Sequence, residues 1–169
     1  SKQIPIPYIL TEHSGPLRTF WWTSHGKRHI SLAYQNAKRL FAVSQFLRRQ
    51  MICQFGDVAE DTTVMFNSVN IDLFSPSGHP PRRGKFLFVG ALEKVKGLNI
   101  LFEALAILPR RLHWTLAIVG RGKEERSLRY LALKLNLTEK IEWLGSRPIR
   151  EMPNIYASHD CVIVPSLHE

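Results

Sequence analysis

The stretch KFLFVGALEKVKGLNILFEALAIL spans residues 85–108 and joins two hydrophobic patterns that belong to different secondary structures. The run KFLFV is short and almost continuously apolar, which indicates a strand buried on both faces of a sheet. The segment LNILFEALAIL has apolar residues at helical spacing, and the loop GALEKVKG before it holds two glycines and two lysines. The stretch therefore predicts a strand, a loop and a helix, in that order.

Strand and helix patterns continue to alternate after this stretch. The later strand patterns are WTLAIVG, KIEWLG and DCVIVPS, and the helical patterns between them are KEERSLRYLALKL and PIREMPNIYASH. This order predicts a parallel sheet flanked by helices, in which the apolar runs FLFV, LAIV and VIV are buried on both faces. The loops GALEKVKG, GRGK, GSRP and SLHE would then gather at the carboxyl ends of the strands, where such sheets bind ligands.

The amino-terminal part of the chain has weaker patterns. The runs PYILT, RLFAVS and DTTVMF favour three short strands, and residues 30–38 favour a helix. Ser44 is predicted to cap the next helix, QFLRRQMICQF, and Gly56 is predicted to end it.

A segment rich in proline, glycine and serine, SPSGHPPRRG, divides the chain. It has too few apolar residues to pack against a core, so residues 75–84 are predicted to be a linker. We therefore expect one domain over residues 1–74 and a second, truncated domain over residues 85–169. The chain starts without methionine and stops directly after a strand-like segment, which suggests a fragment.

Composition limits the classes of function. The chain has 169 residues with 44% hydrophobic and 22% charged, as in an ordinary soluble globular protein, and Cys53 and Cys161 suit a reduced, cytosolic protein. The net charge of +9 favours an anionic partner, which could be nucleic acid, a phosphorylated small molecule or an acidic membrane surface. The basic pairs lack interleaved aromatic residues, so nucleic acid is not expected. No apolar run is long enough to span a membrane.

The loop GALEKVKG has the features of an anion site. Gly90 would let the chain turn off the strand, and a helix start near Gly97 would point unpaired N–H groups at the same space. Lys94 or Lys96 would add a positive charge, so a phosphate or diphosphate is the expected ligand. The alternative is that both lysines are solvated loop residues, and the hydrophobic pattern does not decide between the two.

Other ligand motifs are incomplete. No G-x-x-x-x-G-K-[ST] sequence is present, and Gly120 and Gly122 lack the third glycine of a dinucleotide-binding fingerprint because Glu125 occupies its place. His25 and His29 are spaced like a metal-binding pair, but the sequence offers no clear third ligand. We therefore expect no metal and no bound cofactor.

Several stretches resemble the group 1 (family 4) retaining glycosyltransferases, whose two Rossmann-like domains form the GT-B fold. RLFAVSQFLRRQ resembles the end of their amino-terminal domain, and FNSVNIDLFSP resembles their N-G-V-D-x-x-x-F segment. FLFVGALEKVKGLNILFEAL resembles the V-G-R-L-x-x-x-K-G opening of their donor domain, and the remaining segments follow in the family's order. The resemblance implies an α/β fold with Rossmann-like parallel sheets in a GT-B type two-domain arrangement, with both domains incomplete.

The resemblance also implies an activity and a set of site residues. The protein would move a sugar from a nucleotide diphosphate sugar to a hydroxyl acceptor with retention of configuration, although little activity is expected of the fragment alone. Lys96 would hold the donor diphosphate, with Gly90, Gly97 and Gly120 around it. His13 and Glu169 match family residues that face the transferred sugar, and we assign them as catalytic. No residue is assigned as a metal ligand.

The sequence departs from the family pattern at three positions. Ala91 stands where the family has an arginine that clamps the diphosphate, and Ser68 and Asn70 replace a glycine and an aspartate. The alternative hypothesis is therefore an inactive or remnant glycosyltransferase-fold fragment that acts as a binding module.

The resemblance also implies the class of sugar acceptor and the cellular location of the protein. The acceptor is expected to be a saccharide or a lipid-linked hydroxyl compound, and the location is expected to be cytoplasmic. The basic helix with Arg48 and Arg49, preceded by Trp21 and Trp22, could contact an anionic membrane peripherally. An ordinary sheet-packing helix with a charged outer face is the alternative.

Overall fold

The computed structural model describes residues 6–13, 24–74, 84–109 and 111–167. These residues fall into two compact units, one made of the residues up to Val69 and the other of those from Asn70 onward. Most of the segment predicted to be a linker, residues 75–83, lies outside the described residues, so the predicted domain boundaries stay a prediction.

The first unit contains a three-stranded parallel sheet in the order β1-β2-β3. Its elements are β1 (Ile9–Glu12), α1 (Ser24–Asn36), β2 (Arg39–Ala42), α2 (Gln45–Phe55) and β3 (Thr63–Val64). All three predicted strands are present, although β3 is only two residues long. Helix α1 begins six residues before the predicted start, because its first turns carry no apolar periodicity that would reveal a helix.

Both predicted ends of α2 are confirmed. The main-chain N–H of Leu47 donates to Ser44 Oγ at 3.1 Å, which satisfies one of the free donors at the helix start. Gly56 ends the helix with φ +60°, and its N–H donates to the carbonyl of Ile52. The helix packs Leu47 and Met51 into the core of this unit.

The second unit contains a four-stranded sheet in the order β6-β5-β4-β7, with all strands parallel. Its elements are β4 (Lys85–Val89), α3 (Leu98–Ala106), β5 (Thr115–Val119), α4 (Glu125–Lys134), β6 (Ile141–Gly145), α5 (Met152–Ala157) and β7 (Cys161–Val162). The chain goes from β4 to β5 and β6 on one side and returns to β7 on the other side. The predicted strand–helix alternation and parallel sheet are confirmed.

Alternate residues of the central strands face opposite layers of helices. Phe88 and Ile118 pack in the cluster that contains α3 and α4, whereas Leu87 and Ala117 pack with Met152 of α5. Burial of β4 and β5 on both faces is therefore confirmed, and it explains why their sequences do not alternate with polar residues.

The prediction that the run VIV is buried on both faces of the sheet is wrong. Val162 is 43% exposed and Val164 is 68% exposed. Strand β7 lies at an edge of the described sheet and pairs with β4 over only two residues, so its side chains have few neighbours.

Candidate functional site

The loops that follow β4 and β5 form main-chain hydrogen bonds with each other and with the last residues of β5 and β6. These bonds run from Gly90 N to Val119 O (3.0 Å), from Leu92 N to Arg121 O (3.0 Å) and from Gly120 N to Gly145 O (2.9 Å). Loops at the carboxyl ends of parallel strands form the usual ligand site of an open α/β sheet. The hydrogen bonds give this edge of the sheet a fixed main-chain floor.

Gly120 is the point of closest approach between two of these loops. Its φ is +137°, and a β-carbon on this residue would overlap the carbonyl oxygen of Gly90. A side chain at this position would therefore separate the ends of β4 and β5.

Gly90 has a different role from the one expected. Its φ is not positive, so the turn after β4 does not itself require glycine. A β-carbon at residue 90 would instead lie 3.1 Å from Cζ of the Phe88 ring, which is tighter than an ordinary contact. The next residue, Ala91, is exposed and contributes only a methyl group to the site.

The loop GALEKVKG ends in a helix start, as predicted. Lys94–Lys96 form one turn of 3-10 helix, Gly97 follows with φ +65°, and α3 begins at Leu98. No side chain caps this helix start, so the first N–H groups of α3 lack the partner that a capping residue would supply. This geometry, with the positive end of the helix dipole, favours an anion.

The segment after β7 packs on this helix start. The N–H of Leu167 donates to the carbonyl of Val95 at 2.8 Å. A β-carbon on Gly97 would overlap the carbonyl oxygen of Pro165. The left-handed φ and this close contact both require glycine at residue 97.

An open cleft of about 420 Å³ lies at the carboxyl ends of β4, β5 and β6. Its described lining includes Gly90, Ala91 and Gly120 together with two arginines, Arg121 and Arg147, and it includes no acidic residue. Volumes of this size suit small-molecule ligands. The charge of the lining favours an anion.

The two arginines were missed by sequence reasoning. The loops GRGK and GSRP were identified as site loops, but no role was given to their charged residues. The signal was available, because each arginine is the second residue after a strand of the parallel sheet, and such positions face the ligand edge.

The structure brings the four predicted diphosphate residues into neighbouring loops but does not place all of them in the cleft. Gly90 and Gly120 belong to its described lining, whereas Lys96 and Gly97 do not. Lys96 is half-buried. Lys94 is exposed and lines a second cavity of about 440 Å³ next to α3 and α4.

The predicted catalytic residues are in other parts of the chain. His13 follows β1 in the first unit and is exposed. Its neighbour Glu12 accepts a hydrogen bond from the hydroxyl of Tyr34, with 3.2 Å between Tyr34 Oη and Glu12 Oε2. Burial and the nearby Glu12 carboxylate raise the pKa of the Tyr34 phenol well above its usual value of 10.0. Glu169 lies outside the described residues.

The described residues contain neither a cluster of metal ligands nor a membrane-spanning helix. No three histidine, cysteine, aspartate or glutamate side chains within 6–13, 24–74, 84–109 and 111–167 form a group able to hold a metal ion. None of the helices in those ranges has the length and apolar character needed to cross a bilayer.

Comparison with protein families identifies a family model that matches more than half of the chain. The profile of the family described as "Glycosyl transferases group 1" matches residues 70–169. An uncharacterized glycosyltransferase of Methanocaldococcus jannaschii is 25% identical over 168 residues, which cover 99% of this chain and 45% of that protein. A D-inositol 3-phosphate glycosyltransferase of Corynebacterium jeikeium is 34% identical over 100 residues, covering 54% of this chain and 24% of that protein. The chain thus spans about half or less of the length of the curated relatives it matches.

Solved structures show the same fold. Anabaena HepE in complex with UDP superposes with a TM-score of 0.78 at 25% identity, covering 95% of this chain and 47% of HepE. Sucrose-phosphate synthase from Thermosynechococcus elongatus superposes with a TM-score of 0.77 at 20% identity, covering 97% of this chain and 45% of that protein. These likenesses confirm the predicted α/β fold with Rossmann-like parallel sheets of the GT-B type.

Proposed function

Because the chain belongs to the group 1 glycosyl transferases, we propose that its protein moves a sugar from a nucleoside diphosphate sugar to a hydroxyl acceptor with retention of configuration. Transfer of a hexose without a metal ion or a bound cofactor is part of the proposal. The observation that carries it is the open, positively charged cleft at the carboxyl ends of β4, β5 and β6.

Three features at the carboxyl ends of these strands suit the binding of a nucleoside diphosphate. The cleft is large enough for a small ligand, its described lining holds two guanidinium groups, and the uncapped start of α3 lies at the end of the loop after β4. HepE, at 25% identity, has been solved with UDP and with UDP-glucose. A uridine nucleotide is therefore the first donor to test.

The diphosphate is the leaving group of the reaction, so groups that stabilise its negative charge lower the barrier. We assign Lys96 and the first N–H groups of α3 to this role, with Gly90, Gly97 and Gly120 shaping the main chain around it. Lys96 is half-buried and lies outside the described lining of the cleft, so its assignment rests on the family resemblance and on its place one residue before Gly97.

The transferred sugar is assigned to two other residues. His13 and Glu169 match the family residues that face the transferred sugar, and their assignment rests on that match alone. The acceptor would be a saccharide or a lipid-linked hydroxyl compound, and we place the protein in the cytoplasm with peripheral membrane contact as an alternative.

A second candidate function is a binding module without transfer activity. Ala91 favours it, because this exposed residue lines the cleft but carries no charged group for the diphosphate. Removing a charge-stabilising contact of this kind from an active site typically lowers the rate by about 10²- to 10³-fold.

Calorimetric titration with UDP, GDP and ADP tests the donor site. Binding of one nucleotide supports both functions, and release of that nucleotide from its sugar donor in the presence of acceptor separates transfer from binding alone. The anomeric configuration of the product, measured by NMR, tests retention. Absence of binding for all three nucleotides would exclude both candidate functions.

A further inference from the structure

We propose that Arg121 binds a phosphate group of the donor nucleotide and supplies the guanidinium contact that Ala91 does not. This inference rests on the proposed function and concerns the same cleft. It is carried by the position of Arg121, by the absence of a side-chain partner for it among the described residues, and by the charges around it.

The main chain of Arg121 lies directly beside the loop after β4. Its carbonyl accepts the N–H of Leu92 at 3.0 Å, so Arg121 is next to the residue that follows Ala91. Gly90 and Ala91 present no side chain larger than a methyl group to the cleft. The long side chain of Arg121, in the loop after β5, lines the same cleft as these two small residues.

The guanidinium of Arg121 lies close to Gly145 and forms no ion pair with the residues that the structure describes. A β-carbon added to Gly145 would lie 3.7 Å from Arg121 Nε and 3.9 Å from Nη2, so the side chain extends over the end of β6. Within the part of the chain that the structure describes, Arg121 has no hydrogen bond or ion pair from its side chain. Its donors are exposed and available to a ligand.

The neighbouring charges make Arg121 the better phosphate ligand of the two cleft arginines. Arg147 Nη1 lies 3.6 Å from Glu151 Oε2, which partly neutralises it. Arg121 has no such partner among the described residues, and the described lining of the cleft contains no carboxylate that would compete with a phosphate. A guanidinium binds phosphate through two parallel hydrogen bonds, which a lysine cannot reproduce.

The test compares wild type with Arg121→Ala by calorimetry, using whichever of UDP, GDP and ADP binds most tightly. A charged hydrogen-bond contact predicts an affinity about 10- to 100-fold weaker in the variant. Arg121→Lys should recover only part of the loss. Arg126→Ala removes the same charge from an exposed position on α4 outside the cleft lining and serves as the matched control, with unchanged affinity expected.

The matching nucleoside, which lacks phosphate, separates phosphate binding from base or ribose binding. NMR titration, which suits weak ligands, should give the same affinity for the nucleoside with wild type and with Arg121→Ala. An equal loss for nucleoside and nucleotide would overturn the phosphate assignment. Circular dichroism and thermal unfolding establish that the variant is folded.

Two further variants test whether Arg121 replaces a contact missing at Ala91 and whether it contributes more to binding than Arg147. Adding Ala91→Arg to Arg121→Ala should restore most of the lost affinity, and Arg147→Ala alone should weaken binding less than Arg121→Ala. A larger effect of Arg147→Ala would overturn the choice of Arg121.

If wild type binds a nucleotide and Arg121→Ala binds it equally well, the inference is wrong and the proposed function stands. If wild type binds none, both are wrong.

Discussion

The α-carbon of Gly120 lies against the carbonyl oxygen of Gly90, so closely that a β-carbon would overlap that oxygen. This contact sets the spacing of the two loops that lead away from β4 and β5. The floor of the cleft is therefore made of main chain, and its shape depends on a residue without a side chain.

Gly120→Ala is expected to destabilise the second unit by about 2–4 kcal/mol, from the strained φ and from the displacement of a main-chain carbonyl. Urea unfolding followed by circular dichroism measures the loss. Gly145→Ala is the control, because Gly145 also has a positive φ but a β-carbon there would make only ordinary contact with Arg121. Equal losses for the two variants would mean that the overlap with Gly90 contributes nothing.

The cap of α2 gives a second prediction about stability. Ser44→Ala removes the acceptor for the Leu47 N–H and should lower the free energy of unfolding of the first unit by about 1 kcal/mol. Ser44→Asp keeps an acceptor at the same position and should be close to wild type. Chemical denaturation at neutral pH measures both, and a similar loss for Ser44→Asp would contradict the capping role.

How far the sequence predicts this fold depends on the local signal at each element. The strand and helix around 85–108 were predictable because burial on both faces gives β4 a continuous apolar run, and α3 has strong apolar periodicity. The exposure of Val162 was not predictable, because edge position depends on the order of strands in the sheet. The start of α1 was missed because its first residues, SHGKRH, are nearly all polar.

The candidate site was predictable only in part, for a similar reason. Glycines after strands mark loops at the ligand edge, and this identified Gly90 and Gly120. The positions of Arg121 and Arg147 just after strands mark both as candidates, but local sequence does not show that Arg121 lies beside Ala91. Arg121 lies near Ala91 because β4 and β5 are neighbours in the sheet, and that pairing joins residues about thirty positions apart.

The two lysines of the loop after β4 are expected to differ in their effect on nucleotide binding. Lys96→Ala should weaken the affinity for the preferred nucleoside diphosphate by about 10- to 100-fold, as expected for a charged contact. Lys94→Ala is the matched control, because Lys94 is exposed in the same turn and should contribute only screened, long-range attraction. Calorimetry at two salt concentrations measures both, and an equal effect of the two lysines would argue that Lys96 has no specific role.

Placing at residue 91 the arginine that the family resemblance predicts should increase turnover. Because Arg121 is proposed to supply this contact, Ala91→Arg is expected to raise the rate of sugar transfer by up to about 10²-fold in the Arg121→Ala background and by much less in wild type, since charge-stabilising contacts on the leaving group are of this size. The rate of nucleoside diphosphate release in the presence of acceptor measures the effect. Ala91→Lys is the control, because lysine adds the charge without the planar guanidinium group. An unchanged rate with arginine would show that the site stabilises its leaving group through other residues.

The hydrogen bond between Tyr34 and Glu12 predicts a dependence of stability on alkaline pH. Because the pKa of the buried Tyr34 phenol is raised, the unfolded chain loses this proton near pH 10 while the folded chain keeps it. The unfolded state therefore binds fewer protons above pH 10, and the free energy of unfolding should fall there by up to about 1.4 kcal/mol per pH unit. Below pH 10 the contribution is fully present.

Tyr34→Phe isolates this effect, because every other titrating group is common to the two proteins. The variant should be less stable than wild type at pH 8, since it loses the hydrogen bond to Glu12, and the difference should shrink as the pH rises from 10 to 11. Urea unfolding of both proteins at pH 8, 10 and 11 measures the two slopes. Parallel slopes would mean that the phenol has the same pKa in the folded and unfolded states, and that Glu12 and burial do not hold its proton.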